Sequence, residues 1–265
     1  MTNILAKIIE QKKLEIAALD SRALRSAAES SAAPRDFLSA IQRRQFSRSP
    51  SLIAELKRAS PSKGILAPHL NLIQVADIYA LNGASAISVL TDEKFFLGKL
   101  ETLYELRNTY QVTVPLLRKD FIIDESQIYE AIVNGADAIL LIAAALTDDQ
   151  LFVELHALAL ELGLTPLVEV HDEIETERAL QLKDVKLIGI NNRNLTTFDV
   201  TLETTERIRP MIPSNIAVVS ESGIFNAGDV ERLAKANVDA ILVGEALVTS
   251  PDIAAKVSEL SGLQV

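Results

Sequence analysis

The sequence predicts an α/β protein, a (β/α)8 TIM barrel with an N-terminal helical extension. From Leu52 onward, short apolar segments rich in β-branched residues alternate with stretches of helical periodicity. Eight such strand–helix units occur, and eight is the number that closes a barrel of about 250 residues. A doubly wound open sheet is the competing fold, but no predicted strand is followed by the glycine fingerprint of its dinucleotide-binding turn.

The first part of the chain predicts two helices. Ile4, Leu5, Ile8 and Ile9 begin an apolar stripe at helical spacing, which predicts one amphipathic helix over residues 3–25. A second, short helix is predicted over residues 34–43, and the polar, basic segment 43–50 is expected to be a linker. We therefore divide the single domain into an extension, residues 1–45, and the barrel, residues 46–265. The extension is expected to cover the bottom of the barrel or to flank its mouth.

The strands and helices of the barrel follow in alternation. Strands are predicted at residues 52–57, 85–90, 113–118, 138–143, 165–170, 186–191, 216–221 and 240–244. Helices are predicted at 70–82, 97–110, 125–134, 147–162, 172–182, 203–208 and 227–236. Residues 82–89, 134–141 and 237–243 repeat one pattern, in which a helix ends at asparagine and an apolar strand follows at once. Gly83 and Gly135 after such helix ends predict left-handed caps.

Composition and charge exclude several classes of function. The chain carries 26 Lys and Arg against 36 Asp and Glu, a net charge of −10, so general nucleic-acid binding is not expected. Cysteine is absent, which excludes disulfides and thiolate chemistry, and three scattered histidines predict no metal site. The N-terminus lacks the apolar core of a signal peptide, and no apolar run reaches the roughly 18 residues of a membrane span. We expect a cytoplasmic monomer that binds neither membranes nor nucleic acid.

Polar residues stand where the predicted strands end. Active sites of such barrels lie at the carboxyl ends of the strands, and seven of the eight ends carry polar or charged residues. Three carboxylates and two lysines are among them: Glu55, Glu169, Glu221, Lys57 and Lys119. Each one alone could be part of a structural ion pair. Together they would converge on one mouth, where burial and mutual attraction shift pKa values in ways suited to general acid–base catalysis.

Small residues after the last two strands predict an anion site. Ser222-Gly223 and Gly244-Glu245 stand where barrels of this kind often hold a phosphate group. Glycine lets the backbone approach closely, and N–H groups of a short helix beginning near Glu245 would bind the anion. Lys57 would be the cationic partner. The alternative is that both glycines serve only the turns from strand to helix.

Six segments carry a more specific signal. Residues 53–64 read IAELKRASPSKG and residues 116–122 read LLRKDFI, and further motifs lie at 88–96, 167–170, 189–195 and 220–224. Together they resemble the indole-3-glycerol phosphate synthase family over essentially the whole chain. The resemblance implies a carbon–carbon carboxy-lyase of tryptophan biosynthesis. Its substrate would be 1-(2-carboxyphenylamino)-1-deoxyribulose 5-phosphate, which loses CO2 and water to give indole-3-glycerol phosphate, without a metal or organic cofactor.

The resemblance implies roles for five catalytic residues. Lys119 would be the general acid, donating toward the C2′ carbonyl during ring closure and later helping the hydroxyl to leave. Glu169 would be the general base of the dehydration. Glu55 and Glu221 would orient the lysines and stabilise positive charge on the anilinic nitrogen, while Asn191 would hold Glu169 and a sugar hydroxyl.

The resemblance also implies which residues bind the phosphorylated substrate. These are Lys57, Ser60, Phe96, Arg193, Ser222, Gly223, Gly244 and Glu245. Lys57 and the backbone near both glycines would contact the phosphate, and Arg193 and Phe96 would face the substrate's carboxylate and aromatic ring. The loop 60–64 is expected to be a mobile flap over the mouth.

Two alternatives stand against this function. A phosphoribosylanthranilate isomerase, or another phosphate-binding isomerase barrel, would fit a cysteine–aspartate pair, and the chain has no cysteine. A non-catalytic barrel that binds a phosphorylated metabolite would need the phosphate site but not the acid and the base. The chain departs from the family pattern at Leu97, Lys99 and Asn194, which puts details of two loops in doubt rather than the reaction.

Overall fold

The computed structural model describes residues 4–42, 49–61, 63–195 and 197–262. The predicted boundary between residues 45 and 46, and residues 43–48 of the predicted linker, lie outside the described residues. The division into extension and barrel therefore stays a prediction. In the described ranges, no helix is long and apolar enough to cross a membrane.

The described strands of the main sheet form one closed parallel barrel. They are β1 (Ser51–Leu56), β2 (Ala86–Leu90), β3 (Leu116–Lys119), β4 (Ala138–Ile142), β5 (Thr165–Val170), β6 (Leu187–Asn191), β7 (Ala217–Glu221) and β8 (Ala240–Val243). Each strand pairs with the next along the chain, and β8 pairs with β1 to close the barrel. The predicted fold class and all eight predicted strands are confirmed. Strand β3 begins later than predicted, after Pro115, whose nitrogen has no hydrogen to donate to the ladder.

Helices surround the barrel and connect its strands. They are α1 (Ile4–Ile16), α2 (Ser21–Glu29), α3 (Phe37–Ile41), α4 (Leu72–Leu81), α5 (Glu93–Phe96), α6 (Leu100–Tyr104), α7 (Glu125–Val133), α8 (Asp149–Glu161), α9 (Glu173–Ala179), α10 (Glu203–Ile208), α11 (Ala227–Lys235), α12 (Glu245–Val248) and α13 (Ile253–Ser261). The predicted helix over 97–110 begins only at Leu100, and its second half is the π-helix Glu105–Thr109. Helix α13 was not predicted.

Local sequence explains where these helices begin and end. The Asp148 side chain accepts hydrogen bonds from the first turn of α8, and Asn226 and Asp229 form a capping box at the start of α11. Such side chains satisfy the N–H groups that a helix N-terminus leaves free. Gly83 and Gly135 have φ of 109° and 83°, so the left-handed caps predicted after α4 and α7 are confirmed.

The extension contains a break that the prediction missed. A single helix over residues 3–25 is wrong, because α1 ends at Ile16 and α2 begins at Ser21. Asp20 caps α2 by accepting a hydrogen bond from the Ala23 N–H at 3.0 Å. Helix α1 lies beside the mouth of the barrel, α2 packs against α7, and α3 lies at the bottom. Both predicted placements therefore occur, in different parts of the extension.

Helix α3 closes the bottom of the barrel. Phe37 and Ile41 are fully buried against inward-facing residues of the strands. Those residues include Ile53, Ala86, Leu117, Ala138, Leu167, Leu187, Ala217, Val219 and Ala240. Burying two large apolar side chains here contributes roughly 3–6 kcal/mol relative to leaving them in water. Among the described residues the bottom is thus packed, and the pocket opens at the opposite end.

A small hairpin lies at the mouth, in the segment predicted as a flap. Ala59–Ser60 and Gly64–Ile65 pair as two short antiparallel strands, and Ser60 and Pro61 line the pocket described below. Ser62 lies outside the described residues. Motion of this hairpin stays a prediction.

Candidate active site

A pocket opens at the carboxyl ends of the barrel strands, and its wall contains all the predicted site residues. The predicted catalytic residues in the wall are Glu55, Lys119, Glu169, Asn191 and Glu221. The predicted binding residues in the wall are Lys57, Ser60, Phe96, Arg193, Ser222, Gly223, Gly244 and Glu245. Residues that are far apart in the chain meet here because parallel strands of a barrel end at one rim.

Lys119, the last residue of β3, lies between two carboxylates. Its Nζ donates to Glu169 Oε2 at 2.8 Å and to Glu221 Oε2 at 2.6 Å. Burial alone lowers the pKa of Lys119, but attraction to Glu169, Glu221 and Glu55 outweighs burial and holds the pKa above its ordinary value. The site therefore keeps a buried ammonium group that can donate a proton to a ligand in the pocket.

The two carboxylates that share Lys119 differ in how strongly they hold a proton. Burial raises the pKa of Glu169, but Lys119 and His171 outweigh it, and the pKa lies below its ordinary value. Burial and the charge of Glu169 raise the pKa of Glu221 to about 7, although Lys119 opposes them. Carboxylates that are close together do not ionise independently. Near neutral pH the site thus holds an ionised Glu169 and a Glu221 that exchanges its proton.

Asn191, the last residue of β6, holds one of these carboxylates, and Asn192, which follows it, holds the backbone that carries the other. Asn191 Nδ2 donates to Glu169 Oε1 at 3.2 Å. Asn192 is buried, and its Nδ2 donates to the backbone carbonyls of Glu221 at 2.9 Å and Ser222 at 3.1 Å. These bonds tie the end of β6 to the end of β7. Asn191 was predicted as a site residue, whereas Asn192 was not.

Glu55 and Lys57 form an ion pair at the end of β1. Lys57 Nζ lies 2.5 Å from Glu55 Oε1, and the lysine side chain stays 20% exposed to the pocket while Glu55 is buried. Gly244 lies directly opposite Glu55, and a Cβ at this glycine would overlap the carboxylate. Glycine is thus required at position 244 for Glu55 to occupy its place.

The turns after β7 and β8 form another part of the wall. Ser222 and Gly223 have φ of 67° and 81°, so two successive residues are in the left-handed region. Such a conformation is costly for serine and is typical of turns that serve a site. Gly244 precedes helix α12, which begins at Glu245. Lys63 Nζ of the hairpin lies 3.3 Å from Glu245 Oε1, so the hairpin is joined to the end of β8.

Apolar and cationic groups complete the pocket. The rings of Phe96 and Phe121 lie with centroids 6.0 Å apart, and Leu5 and Ile8 of α1 belong to the same wall. Arg193 donates to the carbonyl of its own loop, at residue 198, over 3.4 Å. An aromatic ring would find apolar contacts here, with a guanidinium group in the wall of the same pocket.

Comparison with known proteins decides the family. The family model of indole-3-glycerol phosphate synthase matches residues 5–260. The chain belongs to the indole-3-glycerol phosphate synthase family. The indole-3-glycerol phosphate synthase of Polaromonas naphthalenivorans is 47% identical over 266 residues, which cover 99% of this chain and 100% of the relative. That of Burkholderia vietnamiensis is 48% identical, with 98% and 99% covered.

Solved structures of other enzymes share the barrel of this indole-3-glycerol phosphate synthase family member. Thiamine phosphate pyrophosphorylase from Pyrococcus furiosus matches with a TM-score of 0.57 at 20% identity, covering 80% of this chain and 94% of that one. 3-Hexulose-6-phosphate synthase from Salmonella typhimurium matches with a TM-score of 0.60 at 14% identity, covering 80% and 97%. At these identities the likeness shows the fold alone.

Two site residues of this synthase family member were missed from the sequence. His171 directly follows β5, and its Nε2 lies 3.3 Å from Glu169 Oε1. Gly189 lies within β6, where a Cβ would overlap Glu221 Oε1 and lie 3.2 Å from Leu167. A histidine at a strand end and a glycine inside an apolar strand were the available signals. These signals were not sufficient, because Gly189 faces Glu221 and Leu167 on other strands, and His171 is held by a residue of the following helix α9.

A third missed feature anchors helix α1 to the mouth. Lys12 is buried, and its Nζ lies 2.9 Å from both Asp92 Oδ2 and Asp120 Oδ1. Asp120 directly follows the central lysine of the site. Lys12 lies on the same helix face as Leu5 and Ile8, so a lysine within an apolar stripe was the sequence signal.

Proposed function

We propose that this chain closes an indole ring as the carboxy-lyase of tryptophan biosynthesis. It converts 1-(2-carboxyphenylamino)-1-deoxyribulose 5-phosphate into indole-3-glycerol phosphate, CO2 and water. One observation carries this proposal. Lys119 lies between two carboxylates in the pocket, with its Nζ 2.8 Å from Glu169 and 2.6 Å from Glu221, and we call this arrangement the Lys119 clamp. The reaction needs a proton donor at a carbonyl oxygen and negative charge near a nitrogen that becomes positive, and this arrangement supplies both.

Lys119 is the proposed general acid of ring closure. A bond forms between the carboxylate-bearing ring carbon and C2′, the C2′ carbonyl opens, and its oxygen takes a proton from Lys119. The anilinic nitrogen supplies electrons and becomes positively charged, which Glu55 and Glu221 would stabilise. The bond to the carboxylate then breaks, CO2 leaves, and the ring regains its aromaticity.

Glu169 is the proposed general base of the dehydration. Before this step Lys119 would regain from solvent the proton that it gave at ring closure. Glu169 would then take a proton from C1′ while the C2′ hydroxyl leaves as water with a proton from Lys119, which forms the C1′–C2′ double bond of the indole. Against the effect of burial, Lys119 and His171 keep the pKa of Glu169 low, so this carboxylate is ready to accept a proton at neutral pH. Because Glu169 contacts Lys119, the proton that it takes can pass back to the lysine.

The remaining residues of the pocket would bind and orient the substrate. The proposed contacts are Lys57, Ser60, Phe96, Asn191, Arg193, Ser222, Gly223, Gly244 and Glu245. Lys57 and backbone N–H groups after β7 and β8 would bind the phosphate, as the left-handed turn at 222–223 supports. Arg193 and Phe96 would contact the carboxylate and the ring at the other end of the substrate.

Indole fluorescence tests the proposal directly. The folded protein is mixed with synthetic 1-(2-carboxyphenylamino)-1-deoxyribulose 5-phosphate, and both indole-glycerol phosphate fluorescence and CO2 release are measured. We expect equal amounts of the two products. Folded protein that binds the substrate but releases neither product would instead support a non-catalytic phosphometabolite-binding barrel. That alternative is not favoured, because binding alone has no use for the Lys119 clamp.

Two expectations about the protein in the cell accompany this function. A monomer is expected, and light scattering after gel filtration measures its mass. A cytoplasmic location is expected for an enzyme of amino-acid biosynthesis, and cell fractionation tests it.

A further inference from the structure

His171 is a largely buried polar group beside the site, and the chemistry above uses only its charge near Glu169. It lies just past the end of β5, with its side chain only 9% exposed. Its Nε2 faces Glu169 Oε1 at 3.3 Å, an ion-pair contact rather than a well-aligned hydrogen bond. His171 therefore contacts the proposed general base on the oxygen that Lys119 does not occupy.

Glu175 fixes the orientation of the His171 ring. Its Oε2 accepts a hydrogen bond from the His171 backbone N–H at 2.8 Å and lies 3.0 Å from His171 Nδ1. Glu175 is itself held in the first turn of α9, where its N–H donates to Asp172 Oδ1 at 2.9 Å. One carboxylate oxygen thus grips both the backbone and the ring of His171. With Nδ1 held in this way, Nε2 points at Glu169.

The charges around Glu169 show what His171 adds. On one side, Lys119 is shared between Glu169 and Glu221, so a single cation serves two carboxylates. On the other side, Asn191 offers only a neutral donor at 3.2 Å. Burial lowers the pKa of His171, but contacts with Glu169 on β5 and Glu175 on α9 raise it to about 10. An imidazolium at this place supplies the second positive charge of the cluster.

We propose that His171, gripped by Glu175, is a positioning residue that holds the Glu169 carboxylate from its Oε1 side. The inference rests on the proposed role of Glu169 as general base. With both oxygens held, Glu169 keeps one orientation and stays ready to accept a proton from the substrate. Without His171, Lys119 and Asn191 alone hold the carboxylate, and it gains a proton more readily. His171 would contact the substrate only through Glu169.

A purely structural ion pair between β5 and α9 is the competing explanation. Loss of such a pair would lower the free energy of unfolding. It would not alter the rate constant of the folded enzyme. Kinetics of the folded fraction therefore separate the two explanations.

The test compares His171→Gln with two other single variants. Glu175→Gln keeps His171 but weakens the contacts by which residue 175 holds the His171 ring. His156→Gln changes a buried histidine of α8 that lies outside the pocket. For His171→Gln we expect kcat to fall about ten- to a hundredfold, a part of what a whole general base contributes. We expect KM to change by less than about threefold, because ground-state binding is kept. Glu175→Gln should show a smaller loss in the same direction, and His156→Gln should keep its kcat.

The pH profile supplies a second readout. Removing a positive charge beside Glu169 raises the pKa of that carboxyl, so the acidic limb of kcat/KM should move to higher pH in His171→Gln. The His156→Gln profile should match the unsubstituted protein. An unshifted profile with normal kcat in folded His171→Gln overturns the inference. If His171→Gln does not fold, an unchanged kcat and profile in Glu175→Gln overturn it instead.

Combination with Glu169→Gln distinguishes this inference from the proposed function. If His171 acts through Glu169, the double variant should be no slower than Glu169→Gln alone. Additive losses would show that His171 acts elsewhere, while the role of Glu169 stands. Near-normal turnover by Glu169→Gln would instead remove the general base that the inference rests on.

Discussion

The two ends of the barrel both hold buried charges, but they satisfy them differently. At the bottom, Asp137 accepts hydrogen bonds on both oxygens: Arg35 donates from its backbone N–H at 2.6 Å and from its guanidinium at 2.7 and 3.0 Å. The Leu116 N–H adds a bond at 2.8 Å, and Arg107 adds one at 3.3 Å. This carboxylate joins the extension to β3 and β4, and both of its oxygens accept hydrogen bonds.

At the mouth, the carboxylates are less completely satisfied. Glu221 Oε2 contacts Lys119, but its Oε1 has no hydrogen-bond partner among the described residues. His171 Nε2 faces Glu169 without an aligned bond. Native proteins seldom leave buried polar atoms without partners, and those that do so often use them on a ligand. The difference teaches that a fully bonded buried charge serves the fold, while a partly bonded one is available for chemistry.

The largest effect should come from removing the cation at the mouth. Lys119→Ala takes away the proposed general acid, and we expect kcat to fall about a thousandfold or more. The protein should still fold, because the two carboxylates it leaves can take up a proton. Indole fluorescence and circular dichroism measure the two properties. Lys235→Ala, an exposed lysine of α11, is the matched control. Near-normal indole formation by Lys119→Ala would refute the mechanism.

Removing only the base should give the next largest effect. Glu169→Gln keeps the shape of the side chain but cannot accept the proton of the dehydration step. We expect kcat to fall about a hundredfold to ten-thousandfold while KM is largely retained. Steady-state kinetics measure both constants. A rise in KM with unchanged kcat would mean that Glu169 binds substrate and does not act as the base.

At the bottom, the same kind of change should affect stability and leave the chemistry unchanged. Asp137→Ala leaves Arg35 and the Leu116 N–H without their acceptor, so the free energy of unfolding should fall by about 3–5 kcal/mol. The kcat of the folded fraction should not change. Urea unfolding with kinetics measures both, and Asp77→Ala on the exposed face of α4 is the control. A large loss of kcat in folded Asp137→Ala would contradict the view that buried charges at the bottom serve only the fold.

The smallest expected effect is a pH dependence that arises at the mouth. Burial and the charge of Glu169 raise the pKa of Glu221 to about 7 from 4.5. The folded state therefore holds a proton that the unfolded state releases between these values. The stability that Glu221 contributes is present below pH 4.5 and is lost as the pH rises through about 7. Relative to Glu221→Gln, the free energy of unfolding should fall by at most about 1.4 kcal/mol per pH unit in this window. A difference that is constant across the window would contradict the raised pKa.

The fold could be predicted because buried parallel strands are nearly continuous apolar runs. Each barrel strand from β1 to β8 was recognisable in this way. The break between α1 and α2 was not, because Ala17, Ala18 and Leu19 continue the apolar composition past the end of α1. Asp20 marks the start of α2 only through the hydrogen bond that its side chain accepts from the Ala23 N–H. The π-helix after α6 was missed for a similar reason, since its residues also fit an ordinary helix.

Those site residues could be predicted whose positions follow from the topology of the barrel alone. Lys119, Glu169 and Glu221 meet because their strands end at one rim, and residue types at strand ends can be seen in the sequence. His171 and Gly189 depend on contacts across elements: one needs Glu175 on a helix, the other needs the bulk of a carboxylate on the next strand. Spacing along the chain does not contain such information.

Helix α1 is synthesised before the barrel strands, yet the partners of its buried Lys12 come much later in the chain, at Asp92 and Asp120. Until then an amphipathic helix has its apolar face in water and is only marginally stable. Strand β8, the last to be made, closes the sheet on β1. On the ribosome the mouth therefore stays unfinished until the final strand has emerged, and a nascent chain stopped before β8 would carry its acid and base residues without a closed pocket around them.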